Sequence, residues 1–562
     1  MRLVLTAFLV AGIAGASVWA LNQRPGASEA QAISPALEEA LARPGCGPKP
    51  DFTLVSDRIT FVKGMGNASY PGASRNAQAQ AWFEYGLTLA HAFQHKDAIA
   101  AFQESQKLDA ACALCVWGEA WALGPTINYK VDAGQRSAAS GLLKKAAVLA
   151  ADGPEQTKAL IAATQKRAQS GDARAQDIAF ADAMDALAAK YPKDVELAVL
   201  TADSWLIANF LWGDARGYPR ALSLLEGALA RRHDDVGAIH FYIHATEMAK
   251  QPAKALTEAQ RLPALAPNAS HLIHMPSHTY YRLGDYKKAT AANENAVTVA
   301  GVYAKAIGFK GSMNGFPYFP HNLNYGLAAA LISGDGQSSL DFAKGFADVY
   351  PDFDRISAWD EFEAAKYYAA QGRFADPKSV MALRQPKQPL MRALWRYARG
   401  EALYRTGDAA GVTAEIQAMR FSAGDLKAYG GSSALAQGLF DVARLSLQGR
   451  AATLEQDWPA AIESYAKAAK IEEQVLAQYK DPAMWWSGPR RYLAAAYLQA
   501  GKHAQAKQEA ELTLKAWPKD PGAELVLGQA QTALGDTSKG AAALKAANES
   551  WSGAAPLSLK NM

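Results

Sequence analysis

WFEYGLTLAHAFQHKDAIAAFQESQKL, residues 82–108, carries two helical patterns in succession. Small residues at Gly86 and Ala98 mark where the two helices cross closely, and Phe102 is the large residue that fills the gap. The pattern resumes in CVWGEAWALGP from Cys115, where Ala120 holds the small position 34 residues after Gly86. The same interval separates Gly501 from Gly535 near the other end of the chain. A fixed step of this size means stacked helix-turn-helix units, each burying its apolar face only against its neighbours.

Helix pairs are expected around 156–190 and 195–232, the second crossing at Ala221, then in two units aligned by Ala255 with Pro267 and by Gly284 with Ala289. The pattern is less regular over 356–450. It is clear again in DWPAAIESYAKAAKIE, RRYLAAAYLQAGKHAQAKQEAELTLKAWP and AELVLGQAQTALGDTSKGAAALKAA. Few alternating strand patterns occur. Over most of residues 78–548 the chain resembles tetratricopeptide repeat (TPR) proteins, which implies an all-α fold, a right-handed superhelical solenoid of TPR-like helix-turn-helix repeats. It is more closely similar to a family of large exported bacterial proteins with such repeats, on CALCVWGEAWALGPTIN, HFYIHATE, HLIHMPSHTYYRLG, HNLNYGLAAAL and the WW segment ahead of LAAAYLQAG. That second resemblance implies no particular activity.

At 562 residues the chain is too long for one compact core. It divides into a leader or anchor (1–32), an extended arm (33–77) with one strand-like run at Ile59–Val62, a first array (78–355) and a second (356–562). The formal charge is only +4, and no run of like charges or basic helix interleaved with aromatics appears, which excludes nucleic acid as a partner. Arg2 followed by an apolar run from Leu3 to Ala20 reads as an export signal, with small residues at Val18 and Ala20 or at Ala30 and Ala32 as cleavage sites. The run is also long enough to stay as a membrane anchor, and no other stretch is expected to span a bilayer. The protein is therefore expected in the periplasm or otherwise exported. There Cys112 and Cys115 are expected to form a disulfide, with Cys46 left over. No His follows Cys115, so haem attachment is excluded. A structural clamp is the reading preferred over redox or metal chemistry.

Six of the ten histidines fall between residues 239 and 321. His240 precedes His274 by 34 residues, and His244 precedes His278 by the same step. With the crossing alanine numbered 20, positions 4, 7, 8 and 11 of the first helix pack, and 2, 5, 9 and 12 share the face that lines the concave groove in the TPR family. His240, His244 and Glu247 fall at 5, 9 and 12, and His271, His274, His278 and Tyr281 at 2, 5, 9 and 12. His321 and Asn324 fall at 2 and 5 of the next unit. Imidazoles at i and i+4 on adjacent helices converge, and neutral imidazole is the commonest ligand for Zn, Cu and Fe. The six divide into two sets of three, each with an i, i+4 pair, a count resembling that of coupled dicopper proteins, although nothing else in the chain resembles those folds. Glu247 is expected as a ligand or general base. Arg282, Asn324 and Tyr281 are expected to face substrate or groove.

Pro276 should make its helix kink or start late, and the inserted residues 304–319, AKAIGFKGSMNGFPYF, would make either a lid over the cluster or a simple spacer. Met275 and Met313 lie near enough to favour Cu(I), though Met on a helix more often belongs to the core. DPAMWWSGPRRY from Asp481 reads as an aromatic wedge between repeats, with a second binding surface as the alternative. No nucleophile elbow, phosphate loop or dinucleotide fingerprint is present. The sequence thus points to an exported TPR metalloprotein that handles a transition metal or uses it catalytically. The alternative is a metal-free scaffold that docks a partner protein or peptide in the groove.

Overall fold

The computed structural model describes residues 59–477 and 481–562. The leader, the arm up to residue 58 and Cys46 lie outside them. Helices start where short polar side chains cap them. Asn76 accepts from the N–H groups of Gln78 and Ala79 to open α1 (Ala77–His91), which pairs with α2 (His95–Leu108). Phe102 of α2 occupies the space that a Cβ would need at Gly86 of α1 and at Gly118 of α3 (Ala113–Ala122), 2.6 and 2.5 Å away. One ring thus locks three helices, and the small residues are what admit it.

The array continues through α4 (Ala133–Leu149), α5 (Glu155–Gln165), α6 (Ala173–Lys190), α7 (Val195–Trp212) and α8 (Gly217–Arg231). Next come α9 (Val236–Met248), α10 (Leu256–Leu265), the short α11 (Ser270–His274) and α12 (Pro276–Arg282), α13 (Tyr286–Ala306), α14 (Phe319–Ser333) and α15 (Gly336–Val349). The less regular region holds α16 (Ala358–Phe374), α17 (Pro377–Met381), α18 (Pro389–Thr406), α19 (Ala409–Ala418), α20 (Ala423–Leu426) and α21 (Ser433–Leu454). Regular hairpins return with α22 (Trp458–Ile471), α23 (Arg490–Gln499), α24 (His503–Ala516), α25 (Pro521–Ala533) and α26 (Thr537–Ser550). The result is an all-helical solenoid of TPR-like hairpins.

Two local expectations change. Ile59–Val62 forms no strand; Tyr85 holds it instead, its hydroxyl donating to Thr60 O and accepting from Val62 N. Among the described residues one helix, α7, is long and apolar enough to cross a membrane, contrary to the sequence reading; in this fold most of it is buried against neighbouring helices.

The solenoid also closes on itself. Lys519 pairs with Asp285, Trp551 lies against Gly334, and Ser552 N donates to Ser333 O at 2.8 Å. A Cβ on Gly284, whose φ is +76°, would sit 2.1 Å from Pro518 O. The last repeats therefore dock onto the turns that end the histidine helices.

Candidate metal centre

Asp235 caps α9 by accepting from Ala238 N, which sets His240 and His244 on successive turns of one face. Pro276 ends α11 and begins α12, with Met275 between them. This is the break the sequence predicted, though Met275 keeps helical angles (φ −52°, ψ −38°), so His271, His274 and His278 stay on one face by helical spacing. His321 comes from the first turn of α14. All six imidazoles are buried, none more than 6% exposed.

Their nitrogens gather in two trios, His240 with His244 and His271, and His274 with His278 and His321; within each, ligand atoms lie within 4.8 Å of one another. His274 Nε2 is 2.9 Å from His278 Nε2 and 3.0 Å from His321 Nε2. His240 Nε2 is 3.2 Å from His271 Nε2. The trios adjoin: the ring centres of His271 and His274 are 5.6 Å apart, and those of His244 and His278 are 5.2 Å apart.

The other ring nitrogens show which tautomer is present. His240 Nδ1 faces the carbonyl of His91 at 2.6 Å. His274 Nδ1 faces Asn293 Oδ1 at 2.7 Å, and Asn293 is oriented by donating its amide to Ala289 O. His278 Nδ1 faces Glu247 Oε2 at 2.8 Å. Carbonyl, amide oxygen and carboxylate only accept, so all three Nδ1 atoms carry hydrogen. In the neutral rings the Nε2 lone pairs therefore point inward. Imidazole anchored in this way is the usual arrangement of a metal ligand.

Two such lone pairs about 3 Å apart repel unless a metal ion, or a proton on one of the nitrogens, lies between them. Burial, aided by the neighbouring imidazoles, pushes His244, His271 and His274 well below the usual histidine range and His240 down to about 3, so protons are disfavoured there. His278 goes the other way: burial opposes its charge, but Glu247 and Asp481 outweigh it and raise its pKa. Among the described residues His244 has no hydrogen-bonding partner for either buried ring nitrogen.

Glu247, expected among the ligands, spends one oxygen on His278 and the other on Arg282 Nε at 2.6 Å, although a third trio of His244, Glu247 and His278 is close enough to share an ion. Arg282 is thereby occupied. Tyr281 is buried and packs on Tyr286, Tyr325 and Trp517, and Asn324 is buried one turn beyond His321. Met275 lies in the main apolar core with Met313 packed against it. Cys112 and Cys115 stand at the start of α3 with sulfurs 1.95 Å apart, at bonding distance.

Three contributors went unseen in the sequence. Phe93, at φ 57°, packs on His240, His244 and His271 with ring centres 4.4, 5.8 and 5.2 Å away. Tyr318, at φ 58°, ends the inserted loop and lies 4.2 Å from His271. Left-handed backbone at aromatic residues is costly and concentrates at functional sites. Asp481, heading the aromatic wedge, brings Oδ1 to 3.4 Å from His278 Nδ1. Behind it Trp485 and Trp486 stack with centres 4.0 Å apart.

No family model matches the chain, and no curated protein matches it. Among solved structures it is similar to a human IFIT1 dimer with m7Gppp-AAAA, at 13% identity over 85% of this chain and 91% of that one, with a TM-score of 0.30. It is similar also to the TPR domain of P58(IPK), at 14% identity, 82% and 100% coverage and a TM-score of 0.22. The APC/C hetero-tetramer Cut9–Hcn1 gives 13% identity, 84% and 96% coverage and a TM-score of 0.22. The likeness is one of helical-repeat build alone.

Proposed function

We propose that the histidine cluster is a two-ion transition-metal centre. His240, His244 and His271 hold one ion and His274, His278 and His321 the other, in an exported helical-repeat protein of the bacterial family it resembles. The observation that carries this reading is the pair His274 and His278, whose Nδ1 atoms both face acceptors while their Nε2 atoms stand 2.9 Å apart. Ligand nitrogens about 2.0–2.1 Å from one tetrahedral ion lie about 3.3–3.4 Å from each other, so a shift of a few tenths of an ångström admits the ion. An all-imidazole set without a carboxylate in the inner ring suits copper or zinc better than iron, which favours carboxylate among its ligands. Three protein nitrogens per ion leave a coordination position open, as catalytic sites do, and two adjoining ions suit metal-dependent chemistry as well as metal handling. The apolar run Leu3–Ala20 supports export, with cleavage or with retention as an anchor.

Elemental analysis of the purified full chain after reconstitution tests the centre. About two equivalents of copper or zinc are expected, falling towards zero when His244→Ala and His274→Ala are combined. Less than about 0.2 equivalents in the unaltered protein sinks the proposal. The second reading, a scaffold docking a partner peptide in the groove, rests on the concave surface that helical-repeat solenoids offer. Against it stands the chain's own covering of the histidine face by Phe93, Tyr318 and the 481–487 segment.

A further inference from the structure

A second site lies well away from the histidines in sequence, in the last repeats. A cavity of about 140 Å³ opens between α18, α21, α22 and α23, with the tail beyond α26 forming one wall. Tyr404, Trp458 and Tyr492 line it, together with Arg450, Gln499 and Lys560. Its volume is close to the roughly 150 Å³ that accommodates one benzene molecule.

Arg450 is the unusual member. Its side chain is buried, and its guanidinium is stacked between Tyr404 and Tyr492, 4.4 Å from each ring centre. Nε donates to Glu401 at 3.1 Å, yet among the described residues neither terminal nitrogen has a hydrogen-bonding partner. The fork of N–H donors therefore opens to the cavity without protein acceptors, and its geometry matches a carboxylate. Charges of both signs surround it, the cations in the majority by three to two: Arg450, Arg373 and Arg491 against Glu401 and Asp520. Arg373 spends its donors on the carbonyls of Leu331 and Asn561. Burial would raise the Tyr492 phenol, but Arg491, Arg450 and Arg373 together bring it down to about 8.

We propose that this cavity binds a small aromatic carboxylate with a single six-membered ring, its carboxylate on the terminal nitrogens of Arg450 and its ring against Trp458. The site is independent of the metal centre. Lys560, exposed at the rim, adds a second cation, and the tail that carries it closes over the ligand.

Calorimetric titration of the full-length protein with benzoate tests this. One benzoate per chain is expected, with benzyl alcohol and acetate each binding at least about tenfold more weakly because each lacks half of what the cavity recognises. Arg450→Met should weaken benzoate by about ten- to a hundredfold, the usual worth of hydrogen bonds to a charged group. Since that change leaves Glu401 buried without its partner, the exposed Gln499→Trp serves as the second variant: it should fill the cavity and abolish binding while the unfolding midpoint stays put. Failure of millimolar benzoate to bind, equal binding of benzyl alcohol, or unchanged binding by Gln499→Trp would each overturn the proposal.

Discussion

Asn293 shows how much of the proposed centre would be built by residues that touch no ion. Its oxygen fixes the His274 tautomer, and its own amide is held by Ala289 O. Asn293→Leu should lower metal affinity about 10–100-fold in a chelator competition, with all six histidines in place. Equal affinity in variant and parent would mean that His274 is not a ligand. Glu247 makes a different forecast. It favours the protonated form of His278 in the metal-free protein, so binding an ion at that trio should expel a proton, detectable in weakly buffered solution. In Glu247→Gln the release at neutral pH should shrink, because the neutral amide no longer stabilises an imidazolium. The histidines were legible in the sequence because a 34-residue step repeats them on equivalent turns. The His91 carbonyl was not, since a backbone oxygen leaves no residue-type signal. Asp481 was not, since only tertiary closure brings it to His278.

At the level of elements, the break between α11 and α12 was readable from Pro276, because a proline inside a helix cannot donate to the carbonyl one turn back. The left-handed turns at Phe93 and Tyr318 were not readable, because nothing in a phenylalanine or tyrosine announces positive φ. The role of the inserted loop was half visible: a lid or a spacer was expected, and Tyr318 at its end does cover His271. Gly284 ties this level to the closure. Gly284→Val meets both a positive φ and Pro518 O, so it should cost about 1–3 kcal/mol in urea unfolding and reduce metal content without touching a ligand. Full metal content in a folded Gly284→Val protein would show that docking of the last repeats is not needed for the site.

For the whole molecule, acid sensitivity follows from histidines held neutral inside. Burial, with Arg167 alongside, lowers His95 from 6.5 to about 3. Between those values the unfolded chain takes up a proton that the folded protein refuses, so the contribution of His95 is intact above about pH 6.5 and declines as pH falls towards 3. Asp97 and Asp203, raised by burial to about 6, pull the other way, but equally in a His95→Gln variant. The stability difference between wild type and His95→Gln, measured by urea unfolding, should therefore narrow on acidification from pH ~7 to ~4. A constant difference would contradict the buried neutral state. The repeat architecture was legible from Gly86, Ala98 and Phe102, because packing between neighbours is local in sequence. Contact between the last repeats and the middle of the chain was not, because solenoid periodicity says nothing about how far the superhelix turns.

The closure by Lys519, Pro518 and Trp551 also sets an order of events during synthesis. All six histidines have emerged once His321 is made, but the wall bearing Asp481 and the repeats that press on Gly284 come long afterwards. A chain appearing from its amino end thus presents an open, half-built nest for most of its production and seals it only at the finish. Under the proposed reading, an ion enclosed there would be drawn from whatever surroundings the protein occupies when its carboxyl-terminal hairpins arrive, so the place of final folding, as much as ligand chemistry, would choose the metal.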